Sequence, residues 1–179
     1  GVRIEHIANP LSNWVGPPYI ILNYWVSCAV TMFWIVGICN ALNLIDGLDG
    51  LAVGVSSIAS TAMLALTILS QNLNASILIA AVAGACLGFL PYNFNPAKIF
   101  MGDTGALFLG YILACVSIQG MLKMSAVITF AVPILILGLP IFDTAFAIVR
   151  RLLTGRSPMS PDRGHLHHRL LDMGFSQRR

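Results

Sequence analysis

Charge is what this sequence is short of. Only 9% of its 179 residues are Asp, Glu, Lys or Arg, whereas a soluble globular domain carries roughly a quarter. Hydrophobic residues make up 57%, and a water-soluble fold is excluded on that balance. Cysteine is sparse as well: Cys28, Cys39, Cys86 and Cys115 each fall inside an apolar run and lack metal-ligand spacing. A disulfide framework or a cysteine metal centre is therefore not expected, and the four thiols read as small buried apolar groups. No internal repeat, linker or second domain is visible, and no basic leader with a cleavage site precedes the first apolar run. Position 1 is Gly rather than Met, so residues 1–179 are expected to be the C-terminal part of one integral membrane domain.

What is present is a series of long apolar runs. A bilayer core of ~30 Å is crossed by about 20 helical residues. Five runs meet that length, at about 19–39, 51–71, 76–92, 105–121 and 126–149. The expected fold class is all-α, a polytopic bundle of transmembrane helices with five spans and a tail over 150–179. Lys98, Arg150, Arg151, Arg156, Arg163, Arg169, Arg178 and Arg179 then lie on one side of the membrane and only Arg3 and Lys123 on the other. The positive-inside rule makes the first side cytoplasmic. Trp14, Tyr19, Tyr24 and Trp25 gather at the opposite boundary, where amphipathic rings favour the headgroup layer. The lipid bilayer is the expected environment, and no nucleic-acid partner is expected.

The acids are one-sided too. Of seven, Glu5 alone is placed outside; Asp46, Asp49, Asp103, Asp162 and Asp172 are cytoplasmic, and Asp143 lies in the last run. Acids contribute little to topology, so their placement calls for another cause. In Asn40-Ala41-Leu42-Asn43-Leu44-Ile45-Asp46-Gly47-Leu48-Asp49-Gly50, amides and carboxylates recur at steps of three. Positions three apart on a helical turn share a face, so Asn43, Asp46 and Asp49 are expected to converge. Helix capping, which Asn and Asp favour, explains one such residue better than four.

A second cluster runs from Tyr92 to Gly105. Asp103 precedes an apolar run and is expected at the N-terminus of a helix, as a cap and near an end that also attracts phosphate. With Lys98 nearby, such an Asp can share Mg²⁺ with a diphosphate, because Mg²⁺ takes few carboxylates and completes its shell with substrate oxygens. Asp143 lies about 10 Å along a helix from Arg150 and reads equally as a functional acid or as a structural hydrogen-bond partner. The tail carries His165, His167 and His168 between Arg163 and Arg169. Histidines so placed can donate to phosphate oxygens or bind a transition metal. Zinc is the lesser reading, because no cysteine shares the segment.

Taken together, Asn40 to Ala52, Pro96 to Gly105 and His165 to His168 resemble three motifs of the polyprenyl-phosphate N-acetylhexosamine-1-phosphate transferases, glycosyltransferase family 4. The resemblance runs from about Ile35 to the C-terminus. It implies a bacterial inner-membrane enzyme, active at the cytoplasmic face, that passes N-acetylglucosamine 1-phosphate from UDP-GlcNAc to undecaprenyl phosphate and releases UMP. It implies a Mg²⁺ cofactor, with Mn²⁺ as a possible substitute. Carried over by position, Asp103 corresponds to the metal ligand, Asp46, Asp49 and Asp103 to catalytic positions, and Asn43 to a substrate-binding one. Phe100 corresponds to a residue stacking on uracil, and His165, His167 and His168 to contacts of the nucleotide diphosphate, with Lys98 and Arg163 beside them. The family also has an adjacent Asp-Asp pair upstream, which this sequence lacks. Phospho-MurNAc-pentapeptide transfer is the alternative within the family, and a cation-coupled transporter is the alternative from another class.

Overall fold

A computed structural model describes residues 1–9, 16, 17 and 19–121 and the single positions 142, 146, 149 and 153. Among the described residues a short antiparallel hairpin comes first, β1 (His6–Ala8) against β2 (Tyr19–Ile21), with Ile7 opposite Ile20. Four helices follow: α1 (Tyr24–Ile45), α2 (Leu51–Leu69), α3 (Leu73–Asn93) and α4 (Gly102–Met121). All four are long and apolar enough to cross a membrane, and the chain is a multi-pass membrane protein. The fifth expected span, 126–149, falls outside the described residues apart from Phe142, Phe146 and Val149, each helical.

The all-α class holds, with a short hairpin added ahead of the helices, and the first span moves. Tyr19–Ile21 is strand rather than helix, and α1 starts only after Asn23, whose side chain accepts the Trp25 N–H at 3.1 Å. In compensation α1 runs on past Cys39 to Ile45, so Asn40 and Asn43 are helical residues and not part of a loop. The segment before β1 is pinned to α1: Thr31 Oγ1 accepts the Ile4 N–H at 3.0 Å, and the Ser27 hydroxyl donates to the Ile4 carbonyl. Two hydroxyls one helical turn apart thus satisfy both backbone groups of a buried residue, which would otherwise be costly away from water.

Helix ends explain the remaining boundaries. Between α2 and α3 the chain reverses through Gln71, at φ 54°. Asn72 caps α3, accepting the Ala75 N–H at 3.3 Å, while its Nδ2 donates to the Gln119 carbonyl of α4 at 3.2 Å. The cap starts α3 at Leu73, three residues earlier than its apolar run indicates. Pro91 lies in the final turn of α3, which ends two residues later at Asn93. The helices alternate in direction, so α1 and α3 end, and α2 and α4 begin, at the same end of the bundle. α1 packs chiefly on α4 and α2 on α3.

Small residues let these helices close. Ala52, Ala59, Ala75, Ala106 and Ala114 are fully buried among the larger Ile38, Leu42, Ile79 and Leu113. In lipid, where apolar surface alone does not drive helices together, such close backbone approach is a main source of association. The tightest approach is at Gly110 of α4: a Cβ there would stand 2.6 Å from the Cys39 Cα of α1. Farther along the same seam the Trp34 indole donates to the Ser117 hydroxyl at 2.9 Å. Met32, Phe33 and Val36 face outward, as lipid contact requires.

Candidate active site

The end of the bundle where all four helices meet carries the polar residues. The last turn of α1 brings Asn43 to the first turn of α4, and Asn43 Nδ2 donates to Asp103 Oδ1 at 3.1 Å. Asp103 lies within that first turn rather than before it, where the positive end of the helix dipole favours an anion. Asp46 closes α1, its backbone N–H donating to the Asn43 carbonyl at 3.3 Å. Burial, and secondarily the charge of Asp103, hold the Asp46 carboxyl above its ordinary value. Asn43, Asp46 and Asp103 are thus brought together from sequence positions sixty residues apart.

Asp49 does not join them. The three-residue spacing keeps one face only while the helix continues, and α1 stops at Ile45. The turn through Gly47 and Gly50 then carries Asp49 toward the segment after α3. There Asp49 Oδ2 accepts Asn95 Nδ2 and the Ala97 N–H, each at 3.0 Å. Asn40 also stays apart, donating to the Val36 carbonyl of its own helix at 2.9 Å.

The segment between α3 and α4 forms an exposed edge beside this cluster. It contains a cis Asn95–Pro96 bond. The Tyr92 carbonyl accepts the Lys98 and Ile99 N–H groups at 2.8 and 3.2 Å, which bends the chain back over the end of α3. Lys98 is exposed, and Phe100 is 74% exposed despite being a large apolar ring. Asn93, a residue the motif spacing did not single out as a site residue, is 3% exposed and bonded on both sides. Its Oδ1 accepts the Gly50 N–H at 3.1 Å and its Nδ2 donates to the Ile99 carbonyl at 2.9 Å. A buried amide ending an apolar helix was the available signal, but neither partner could be named from sequence.

Among the described residues no three His, Cys, Asp or Glu side chains gather as a complete metal site. Asp46 and Asp103 offer carboxylates with oxygens to spare, the donor type of a cation that draws its other ligands from substrate and water. Arg3–Glu5, at the opposite end, is the one ion pair among the described residues. Arg163, His165, His167, His168 and Asp143 lie outside the described residues.

Comparison with known proteins identifies the family. The sequence model of a family described as glycosyl transferase family 4 matches residues 2–121. The chain is 49% identical over 154 residues to a Bacillus subtilis protein named a probable undecaprenyl-phosphate N-acetylglucosaminyl 1-phosphate transferase, covering 86% of the chain and 43% of that protein. It is 40% identical over 183 residues to the decaprenyl-phosphate N-acetylglucosaminephosphotransferase of Mycolicibacterium smegmatis, covering 92% and 45%. It is 39% identical over 165 residues to the phospho-N-acetylmuramoyl-pentapeptide-transferase of Desulforamulus reducens, covering 88% and 46%. The chain spans a little under half the length of these relatives.

Proposed function

The chain belongs to glycosyl transferase family 4, and on that premise we propose that the protein transfers N-acetylglucosamine 1-phosphate from UDP-GlcNAc to a polyprenyl phosphate such as undecaprenyl phosphate. An oxygen of the lipid phosphate bonds to the β-phosphorus of the nucleotide sugar. The bond from that phosphorus to the bridging oxygen breaks, and UMP leaves with the electron pair. The observation that carries the reading is the Asn43–Asp103 hydrogen bond with Asp46 beside it. It sets acidic groups at a membrane-boundary end of the bundle, where a lipid headgroup and a soluble nucleotide can meet.

Phosphoryl transfer asks a protein mainly for positioning and charge stabilisation. Asp103 is the proposed metal ligand from this chain, held in orientation by Asn43, with Asp46 completing the acidic wall. Mg²⁺, or Mn²⁺ in its place, fits these donors and when bound neutralises charge on the diphosphate. Phe100 offers an uncovered ring for stacking on uracil, and Lys98 a cation beside it. Arg163, His165, His167 and His168 are proposed to contact the diphosphate. The excess of basic residues on this side supports a cytoplasmic face, and the bacterial relatives support a bacterial inner membrane.

The 49% and 40% identities to N-acetylglucosamine transferases favour that donor. The 39% relative supports a second reading, transfer of phospho-MurNAc-pentapeptide. A cation-coupled transporter would place its acids near the bilayer midplane, whereas Asp46, Asp49 and Asp103 all lie at helix ends. The test is to reconstitute the full-length protein in liposomes with undecaprenyl phosphate and supply each nucleotide sugar. Release of UMP with formation of lipid-linked N-acetylglucosamine is expected; solute uptake without UMP release would overturn the reading.

A further inference from the structure

We infer that Asn93 is a positioning residue for the nucleotide half of the site: its buried side chain fixes the Asp46–Gly50 turn to the Lys98–Phe100 edge. The inference rests on the transferase reading for its kinetic consequence and on the hydrogen bonds alone for its structural one. Asn93 is the last residue of α3, and its amide is used on both sides. The Gly50 N–H donates to Oδ1, and Nδ2 donates to the Ile99 carbonyl. One side chain therefore bonds to both segments.

The surroundings show why an amide is needed there. Ile99 is held from the other direction by the Tyr92 carbonyl, so both backbone groups of the residue between Lys98 and Phe100 are anchored to the end of α3. Gly50 adopts φ +76°, and a Cβ on it would approach Phe94 Cδ2 at 3.3 Å and Phe94 Cα at 3.4 Å. The turn therefore meets the segment that follows α3 closely. Asp49 grips the same edge two residues earlier through Asn95 and Ala97. Asn93 offers an acceptor to one segment and a donor to the other, a combination that a carboxylate or a hydrocarbon cannot supply. It needs no contact with substrate to set where Phe100 stands relative to Asp103.

The experiment compares Asn93→Ala and Asn93→Asp with the wild type in the full-length protein, by hydrogen exchange and by steady-state kinetics. Asn93→Asp keeps the acceptor for Gly50 but leaves the Ile99 carbonyl without its donor. Exchange over residues 97–101 is expected to quicken in both variants, and at the Gly50 amide only in Asn93→Ala. KM for the nucleotide sugar is expected to rise about tenfold in Asn93→Ala while kcat falls less than about threefold. Simple loss of folded protein would lower kcat and leave KM alone. Unchanged exchange at Gly50 and at 97–101 would overturn the connection itself. Altered exchange with an unaltered KM would overturn the positioning role. A wild-type protein that releases no UMP would instead count against the transferase reading, and the exchange result would still decide whether Asn93 joins the two segments.

Discussion

Replacing Gly110 with alanine tests whether the α1–α4 seam holds the site in register. The new Cβ would stand 2.6 Å from Cys39 Cα, 3.2 Å from Cys39 N and 3.3 Å from the Ile38 carbonyl oxygen. All three are backbone atoms of α1, so no side chain can swing aside. Carbon atoms settle at about 3.5–4.0 Å, and the helices must therefore part by about 1 Å. Cys39 lies one turn below Asn43, and Gly110 lies about 10 Å below Asp103 along α4 at 1.5 Å per residue. Separation at that depth carries to the site and would stretch the 3.1 Å Asn43–Asp103 bond to about 4 Å, beyond hydrogen-bond range. Overpacking of this kind costs about 1–3 kcal/mol, and a misplacement of about 1 Å can lower turnover on the order of a hundredfold. Gly84→Ala in α3 is the control: a Cβ there meets nothing within 4 Å, and alanine should add up to about 1 kcal/mol through helix propensity. The assay is denaturant unfolding in micelles together with UMP release. If Gly110→Ala unfolds no more readily than Gly84→Ala and turns over at the wild-type rate, the seam does not govern the site.

Three further outcomes follow from other parts of the molecule. Asp46 titrates above its ordinary value because of burial and then the charge of Asp103, so its contribution to stability is complete in acid and is lost as pH rises through the raised value. Asp46→Asn should therefore melt a few degrees above the wild type at neutral pH in EDTA, with the difference shrinking toward pH 4; a gap independent of pH would contradict the assignment. Asn72→Ala removes the cap of α3 and the bond to Gln119, and a loss of about 1 kcal/mol is expected in denaturant unfolding, with turnover unchanged because the lesion is at the end remote from the site. Gly50→Ala combines a left-handed φ with the contact to Phe94; it should reduce turnover at least tenfold with little change in the far-ultraviolet helical signal.

The membrane spans were legible because lipid imposes length and apolarity on a helix, and four described helices occupy runs that composition alone marked out. Their ends were less legible. Asn23 and Asn72 set the starts of α1 and α3 by side-chain caps, and an apolar window places a boundary only to within a few residues. The β1–β2 hairpin went unseen because three-residue strands separated by a proline-bearing stretch leave almost no periodicity. The step of three from Asn43 to Asp46 follows the helix because α1 runs to Ile45 and Asp46 is its C-cap. Asp49 was grouped with them because spacing by three does not reveal where a helix stops. Asn93 shows the limit most clearly: its partner Gly50 is 43 residues away, and only folding brings the two together.

The most direct measurement is the rate of UMP release from UDP-GlcNAc by the full-length protein with undecaprenyl phosphate, recorded against Mg²⁺ concentration for the wild type and Asp103→Asn. The proposed site predicts saturable dependence on Mg²⁺ in the wild type, none of that turnover in EDTA, and loss of at least a hundredfold in Asp103→Asn with the helical signal intact. Undiminished release in EDTA, or wild-type rates in Asp103→Asn, would contradict the placement of the chemistry at the joined ends of α1 and α4.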